Sequence, residues 1–136
     1  MKIVYWSGTG NTESMAEFIA EGIKEAGKEA EVINVSDADI NTLKDEDVLI
    51  LGCPAMGDEV LEEGEFEPFI EDLSSELNNK KVALFGSYGW GDGAWMRNWE
   101  DRMTGYGCVI PEEPLIVQSE ADKDECIAYG KKIANF

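Results

Sequence analysis

The chain has 136 residues, 11 lysines and arginines against 29 aspartates and glutamates, a formal net charge of −18 and no histidine. Such an excess of negative charge repels phosphate backbones and anionic lipid, which argues against nucleic-acid and membrane-surface roles. The missing histidine removes imidazole bases, Ser-His-Asp and Cys-His nucleophiles and His metal ligands together.

A length within the ~100–200 residues of an ordinary domain predicts a single domain over residues 1–136. Short β-rich runs alternate with segments of helical period. Residues 3–6 read as a first strand. Residues 12–26 set Met15, Phe18, Ile19, Gly22, Ile23 and Ala26 on one helical face, with Gly27 placed to cap the end. Residues 31–35 form a weaker strand nearer an edge, because charges interrupt it. Residues 48–52 (Val-Leu-Ile-Leu-Gly) are continuously apolar, as a strand buried on both faces requires. A helix over 67–77 follows, then a second buried strand over 81–86 and a helix over 94–104. Residues 108–110 and 115–117 supply an interrupted last strand. The closing helix, 124–135, turns Cys126, Ile127, Gly130, Ile133 and Ala134 inward.

This β–α alternation predicts an α/β fold, a three-layer α/β/α sandwich on a five-stranded parallel sheet of order 2-1-3-4-5. In that order the ligand crevice lies at the carboxyl ends of strands one and three. The longest apolar runs fall far below the ~18 residues of a membrane span. The strand-like start, without a small-residue cleavage site, gives no sign of a signal peptide. Cys53, Cys108 and Cys126 are too widely spaced for a CxxC pair or a zinc or iron–sulfur frame. An odd number of free thiols fits a reducing cytoplasm.

Three loops at the carboxyl edge hold the unusual residues. After strand one comes Ser7-Gly8-Thr9-Gly10-Asn11-Thr12. A single helix cap needs one such residue, and four around two glycines point to an anion at a helix N-terminus. No Gly-Lys-Ser/Thr follows, and Glu13 stands where a dinucleotide fingerprint needs its third glycine. No lysine or arginine lies in the loop, which suits a permanently held monophosphate. After strand three comes Cys53-Pro54-Ala55-Met56-Gly57-Asp58-Glu59. Cys53 reads as packing, since Glu59 and not arginine occupies the sixth position beyond it, while a thioether such as Met56 suits an aromatic ring. After strand four comes Gly86-Ser87-Tyr88-Gly89-Trp90-Gly91-Asp92-Gly93. Trp95 and Trp99 read as packing on the next helix. Trp90, between two glycines, reads as a stacking platform for a planar ligand.

Together these three loops resemble the short-chain flavodoxins of anaerobic bacteria, over essentially the whole chain. The resemblance implies a flavodoxin-like fold and tightly, noncovalently bound flavin mononucleotide (FMN). It implies that Ser7, Thr9, Asn11 and Thr12, with Gly8, Gly10 and nearby amides, hold the phosphate, with Pro54 where some relatives carry serine. Met56, flanked by Ala55, would cover the inner flavin face and Trp90 the outer one. Glu59 would accept from the flavin N3–H, and the Gly89 and Gly91 amides, in the loop with Ser87 and Tyr88, would approach the N1/O2 edge. Gly57-Asp58 would form a redox switch whose rotated peptide stabilises the neutral semiquinone. Some relatives carry asparagine where Ser119 stands, and Ser119 receives no role.

The function that follows is a low-potential one-electron carrier on the semiquinone/hydroquinone couple, and not an enzyme with its own substrate, since the flavin carries the chemistry. The alternatives are a small FMN-dependent quinone or nitro reductase and a module dedicated to one complex. Residues 45–79 hold 12 acids and no lysine or arginine. Six of them, Asp58, Glu59, Glu62, Glu63, Glu65 and Glu67, flank the expected site and would disfavour an anionic, fully reduced flavin. The expected partners are ferredoxin-type oxidoreductases with basic docking patches, met by a monomer.

Overall fold

The computed structural model describes all of residues 1–136. Five parallel strands, β1 (Lys2–Tyr5), β2 (Glu31–Asn34), β3 (Val48–Gly52), β4 (Lys81–Tyr88) and β5 (Leu115–Gln118), pair in the order β2-β1-β3-β4-β5. Five helices connect and close them: α1 (Asn11–Glu25), α2 (Ile40–Leu43), α3 (Phe66–Leu73), α4 (Ala94–Gly105) and α5 (Lys123–Ile133). The expected sandwich and strand order are both present.

The pleat divides the apolar side chains between two cores, because successive strand residues face opposite sides. Ile3, Tyr5, Val48, Ile50, Ala83 and Phe85 pack with α1 and α5. Val4, Leu49, Leu51, Val82 and Leu84 pack with α3 and α4, including the buried Trp95 and Trp99. The α1–α5 face is unusually close. A Cβ on Gly22 would collide with the Ile127 carbonyl, and one on Gly130 with that of Ile19. This approach leaves Phe18 and Ile127 only half-buried and Ala26 exposed, unlike the expected faces, while Tyr129 is buried and donates to the Leu84 carbonyl at 3.2 Å.

Gly27 caps α1 as expected, at φ +88°. The Lys28 N–H donates to Ile23 O and the Gly27 N–H to Lys24 O, the two bonds of a Schellman motif. Other boundaries move. The helix expected over 67–77 ends at Leu73 and tightens into a 3₁₀ turn, Ser74–Glu76. The short α2, capped by the Asp39 side chain on Asn41 N–H, was not foreseen, because one helical turn carries no readable period. The last strand is interrupted: Val109 bridges Lys81, and pairing resumes only at Phe85–Leu115. Gly86, Ser87 and Tyr88 belong to β4, paired with Ile116, Val117 and Gln118, so the loop after it begins later than expected, at Gly89.

Candidate functional site

A parallel sheet sends all its strands to one edge, so the loops after β1, β3, β4 and β5 meet there. Between them lies a cleft of about 330 Å³. Ser7, Gly8, Thr9, Asn11 and Thr12 line it from the first loop, Pro54, Ala55 and Met56 from the second, and Ser87, Tyr88 and Gly89 from the third. Trp6 and Ser119 line it as well and were missed. The readable signals were an aromatic ending a strand at the ligand edge and a fourth carboxyl-edge loop, after β5.

The first loop is built around an open helix start. Gly10 is the residue before α1, at φ +98°, and no side chain caps the helix. Ser7 Oγ accepts from the Gly10 N–H at 3.1 Å, so the hydroxyl shapes the loop instead of consuming a helical donor. The α1 ladder begins with Ser14 N–H to Gly10 O, which leaves the amides of Asn11, Thr12 and Glu13 without helical acceptors. Thr12, fully buried, shares a hydrogen bond of 3.0 Å with Ser87 Oγ and so ties this loop to the end of β4. Gly8 lies close against Trp6: a Cβ there would lie 3.0 Å from the ring. No lysine or arginine lines the cleft. Neutral donors and the helix dipole are what this corner offers an anion.

The second loop is anchored at Cys53, whose amide donates to Phe85 O and whose carbonyl accepts from Trp95 Nε1 at 3.1 Å. Burial pushes the Cys53 thiol up to about 12, so it is protonated packing. Burial likewise moves Cys126 to about 12 and Cys108 to about 11. Beyond Cys53, Ala55 N–H donates to Ser87 O, and Met56–Glu59 closes as a turn through Glu59 N–H to Met56 O at 2.8 Å. Gly57 and Asp58 stand exposed at its tip, outside the cleft wall. Glu59 carries a left-handed φ of +54° and its Oε1 accepts the Asp92 N–H at 3.1 Å, joining this turn to the third loop. A Cβ on Gly91, at φ +93°, would collide with that carboxylate.

In the third loop Trp90 is 66% exposed, without a packing partner among the core residues. Tyr88 faces the cleft and lies against Trp95, ring centres 5.7 Å apart. Ser119, at φ +63°, sits beside it and donates its N–H to Tyr88 O at 2.7 Å.

The six acids near the site are not equivalent. Glu67 holds Arg102 through two bonds of 2.7 and 2.5 Å, and that guanidinium keeps its carboxyl below the usual range. Burial raises the Glu62 carboxyl, but amides of Phe66, Glu65 and Gly64 outweigh it and hold the group low. Asp58, Glu63 and Glu65 remain exposed and Glu59 half-exposed. Nor is this edge free of cations. Arg97, in the first turn of α4, binds the Asp92 carbonyl and carboxylate at 2.8 and 3.1 Å, and Lys123 opens α5.

Residues 3–130 match the sequence profile of the family described as Flavodoxin. The chain is 70% identical to a flavodoxin of Clostridium beijerinckii over the whole of both chains. It is 43% identical to the flavodoxin of Megasphaera elsdenii over 98% of each. The solution structure of the two-electron reduced Megasphaera elsdenii flavodoxin superposes with a TM-score of 0.91, covering 99% of this chain and 98% of that one. An archaeal flavodoxin structure, 31% identical, gives 0.86 over 99% and 97%. No helix is long and apolar enough to cross a membrane. The chain belongs to the flavodoxin family, electron-transfer proteins that bind FMN and exchange electrons with redox partner proteins.

Proposed function

We propose that residues 1–136 form one FMN-binding unit that carries single electrons at low potential between oxidoreductases. The bound flavin supplies the redox chemistry. The observation that carries the reading is the uncapped first turn of α1, which opens on a cleft walled by hydroxyls and free of cations. Ser7, Thr9, Asn11 and Thr12 with the adjoining amides fit a phosphate there, Gly8 and Gly10 letting the backbone come close. Pro54 and Ala55 form the wall above, with the polarizable thioether of Met56 and the flat ring of Tyr88 suited to the ring system. Trp90 is the outer platform, and its exposure is what a stacking residue needs. Glu59 accepts from an N–H at the ring edge through the oxygen that Asp92 leaves free. The Gly89 and Gly91 amides serve the adjoining N1/O2 edge, and Gly57 and Asp58 form the turn that responds to reduction.

With both ring faces covered, no surface is left for a hydride donor, which separates this reading from a quinone or nitro reductase. The expected setting is the cytoplasm, with a monomer meeting partners that surround their own redox centre with basic residues. The test is titration of apoprotein with FMN and with riboflavin. FMN should bind with one site per chain, and riboflavin at least ~100-fold more weakly, the scale of two lost charge-assisted hydrogen bonds. Equal affinity for the two would overturn the phosphate assignment.

A further inference from the structure

We propose that Glu62 is a positioning residue for the Met56–Glu59 turn, a role that rests on the carrier reading above. Residues 58–67 hold six acids, whose mutual repulsion favours an open loop. Glu62 instead folds its carboxylate onto the backbone amides that follow it. Its Oε2 accepts from Gly64 N–H at 2.5 Å, and its Oε1 accepts from Glu65 and Phe66 N–H at 2.7 and 3.0 Å. Helix α3 has no capping bond from the side chain of Glu65, the residue before it, so this carboxylate supplies the anion its start requires. A Cβ on Gly64 would lie 2.8 Å from Glu62 Oε2, so a side chain there would displace the carboxylate from its place in the wrap.

The same residue is tied back towards the sheet. Its own N–H donates to the buried Cys53 Sγ at 3.5 Å, and its carbonyl accepts from Glu67 N–H at 2.9 Å. Next to it Leu61 is buried, and Val60 O accepts from Met56 N–H at 3.0 Å. The Met56–Glu59 turn is therefore spanned between two fixed points, Cys53 behind it and the Glu62 wrap ahead. Glu62 does not line the cleft. It acts by setting the strain and reach of the turn, and Glu63, exposed, carries the same charge without binding those amides.

Glu62→Ala, Glu62→Gln and Glu63→Ala, each reconstituted with FMN, separate position from charge. Amide exchange at Gly64, Glu65 and Phe66 should quicken about tenfold or more in Glu62→Ala, the scale of one lost bond to a charged acceptor. It should quicken less in Glu62→Gln, whose amide oxygen can still accept, and stay unchanged in Glu63→Ala. Loss of either charge should move the second one-electron potential of the bound flavin by the same amount. The first potential should fall in Glu62→Ala relative to Glu63→Ala, with Glu62→Gln between them. Equal first potentials in the two alanine variants would overturn the proposal, whether or not exchange quickens, because Glu62 would then act as charge or as local structure only. If wild type itself failed to bind FMN, the carrier reading would fall, while the exchange data would still report on the wrap.

Discussion

Trp90 stands on the surface with a glycine on each side, and a tryptophan so placed has no folding role to lose. Trp90→Ala should therefore leave stability unchanged and weaken FMN binding by about 1–3 kcal/mol, the usual scale of an aromatic stack. Fluorescence titration of the apoprotein measures it, and an unchanged dissociation constant would contradict the platform role. The turn at Gly57 gives a sharper lesson. Glu59 N–H reaches Met56 O, and neither Gly57 nor Asp58 has a positive φ, which is a type I turn. Rotating the Gly57–Asp58 peptide to redirect the Gly57 carbonyl makes it type II, and the left-handed φ then falls on Asp58. A Cβ on Gly57 meets nothing within 4 Å, so side-chain contact sets no cost at Gly57 and the cost of the left-handed φ falls on Asp58. Asp58→Gly should lower the cost of rotation by about 1 kcal/mol. That should raise the first one-electron potential by ~40 mV and leave the second in place. Movement of both couples together would contradict an exchange between turns.

Between elements, α1 and α5 approach so closely that each presents a glycine to the other's backbone. Gly130→Ala would push a methyl into the Ile19 carbonyl, and overpacking of this kind costs about 1–3 kcal/mol. In Gly105→Ala the new methyl meets nothing at the end of α4, so helix propensity should give a gain of up to about 1 kcal/mol. Urea midpoints of the two variants should move in opposite directions. The carboxyls that join α3 to its surroundings predict the response to acid. Glu67 and Glu62 are held below their ordinary values in the folded chain. Their contribution is complete above the unfolded carboxyl pKa of about 4.3 and is lost as pH falls through the folded values. Thermal midpoints should thus drop below about pH 4.3, less steeply in Glu67→Gln. These elements were legible where a period or a continuous apolar run marked them, as in α1 and β3. The one-turn α2 and the Glu62 wrap were not, because the first is too short for a period and the second depends on backbone amides of a folded loop.

At the scale of the whole molecule, the parallel sheet sorts charge by edge. Lys2 and Lys81 open strands, Lys24, Lys131 and Lys132 lie in the last turns of helices, and Lys28 follows α1, so these gather opposite the cleft. The exposed acids of the second loop lie beside it, with Arg97 and Lys123 as local exceptions. The edge that carries the cleft was readable from the alternation of strands and helices alone. The cleft's full wall was not, since Trp6 and Ser119 join it only when the four loops converge. The resulting dipole should steer a basic partner to the flavin edge, with rates that fall as salt shortens the Debye length from ~30 Å at 0.01 M to ~10 Å at 0.1 M. Because Glu62 and Glu67 are engaged internally, the docking test neutralises Asp58, Glu63 and Glu65, with Lys2, Lys81 and Lys131 as the control set. Only the acid triple should slow transfer to a basic redox protein at low salt and flatten the salt dependence, and equal effects would show that net charge alone matters. The claim beneath all of this is that these loops hold one FMN for single-electron traffic. Potentiometric titration of the reconstituted protein tests it most directly. Two well-separated one-electron steps, the second at low potential, are predicted. A single two-electron step, reversible with a nicotinamide hydride donor, would contradict it.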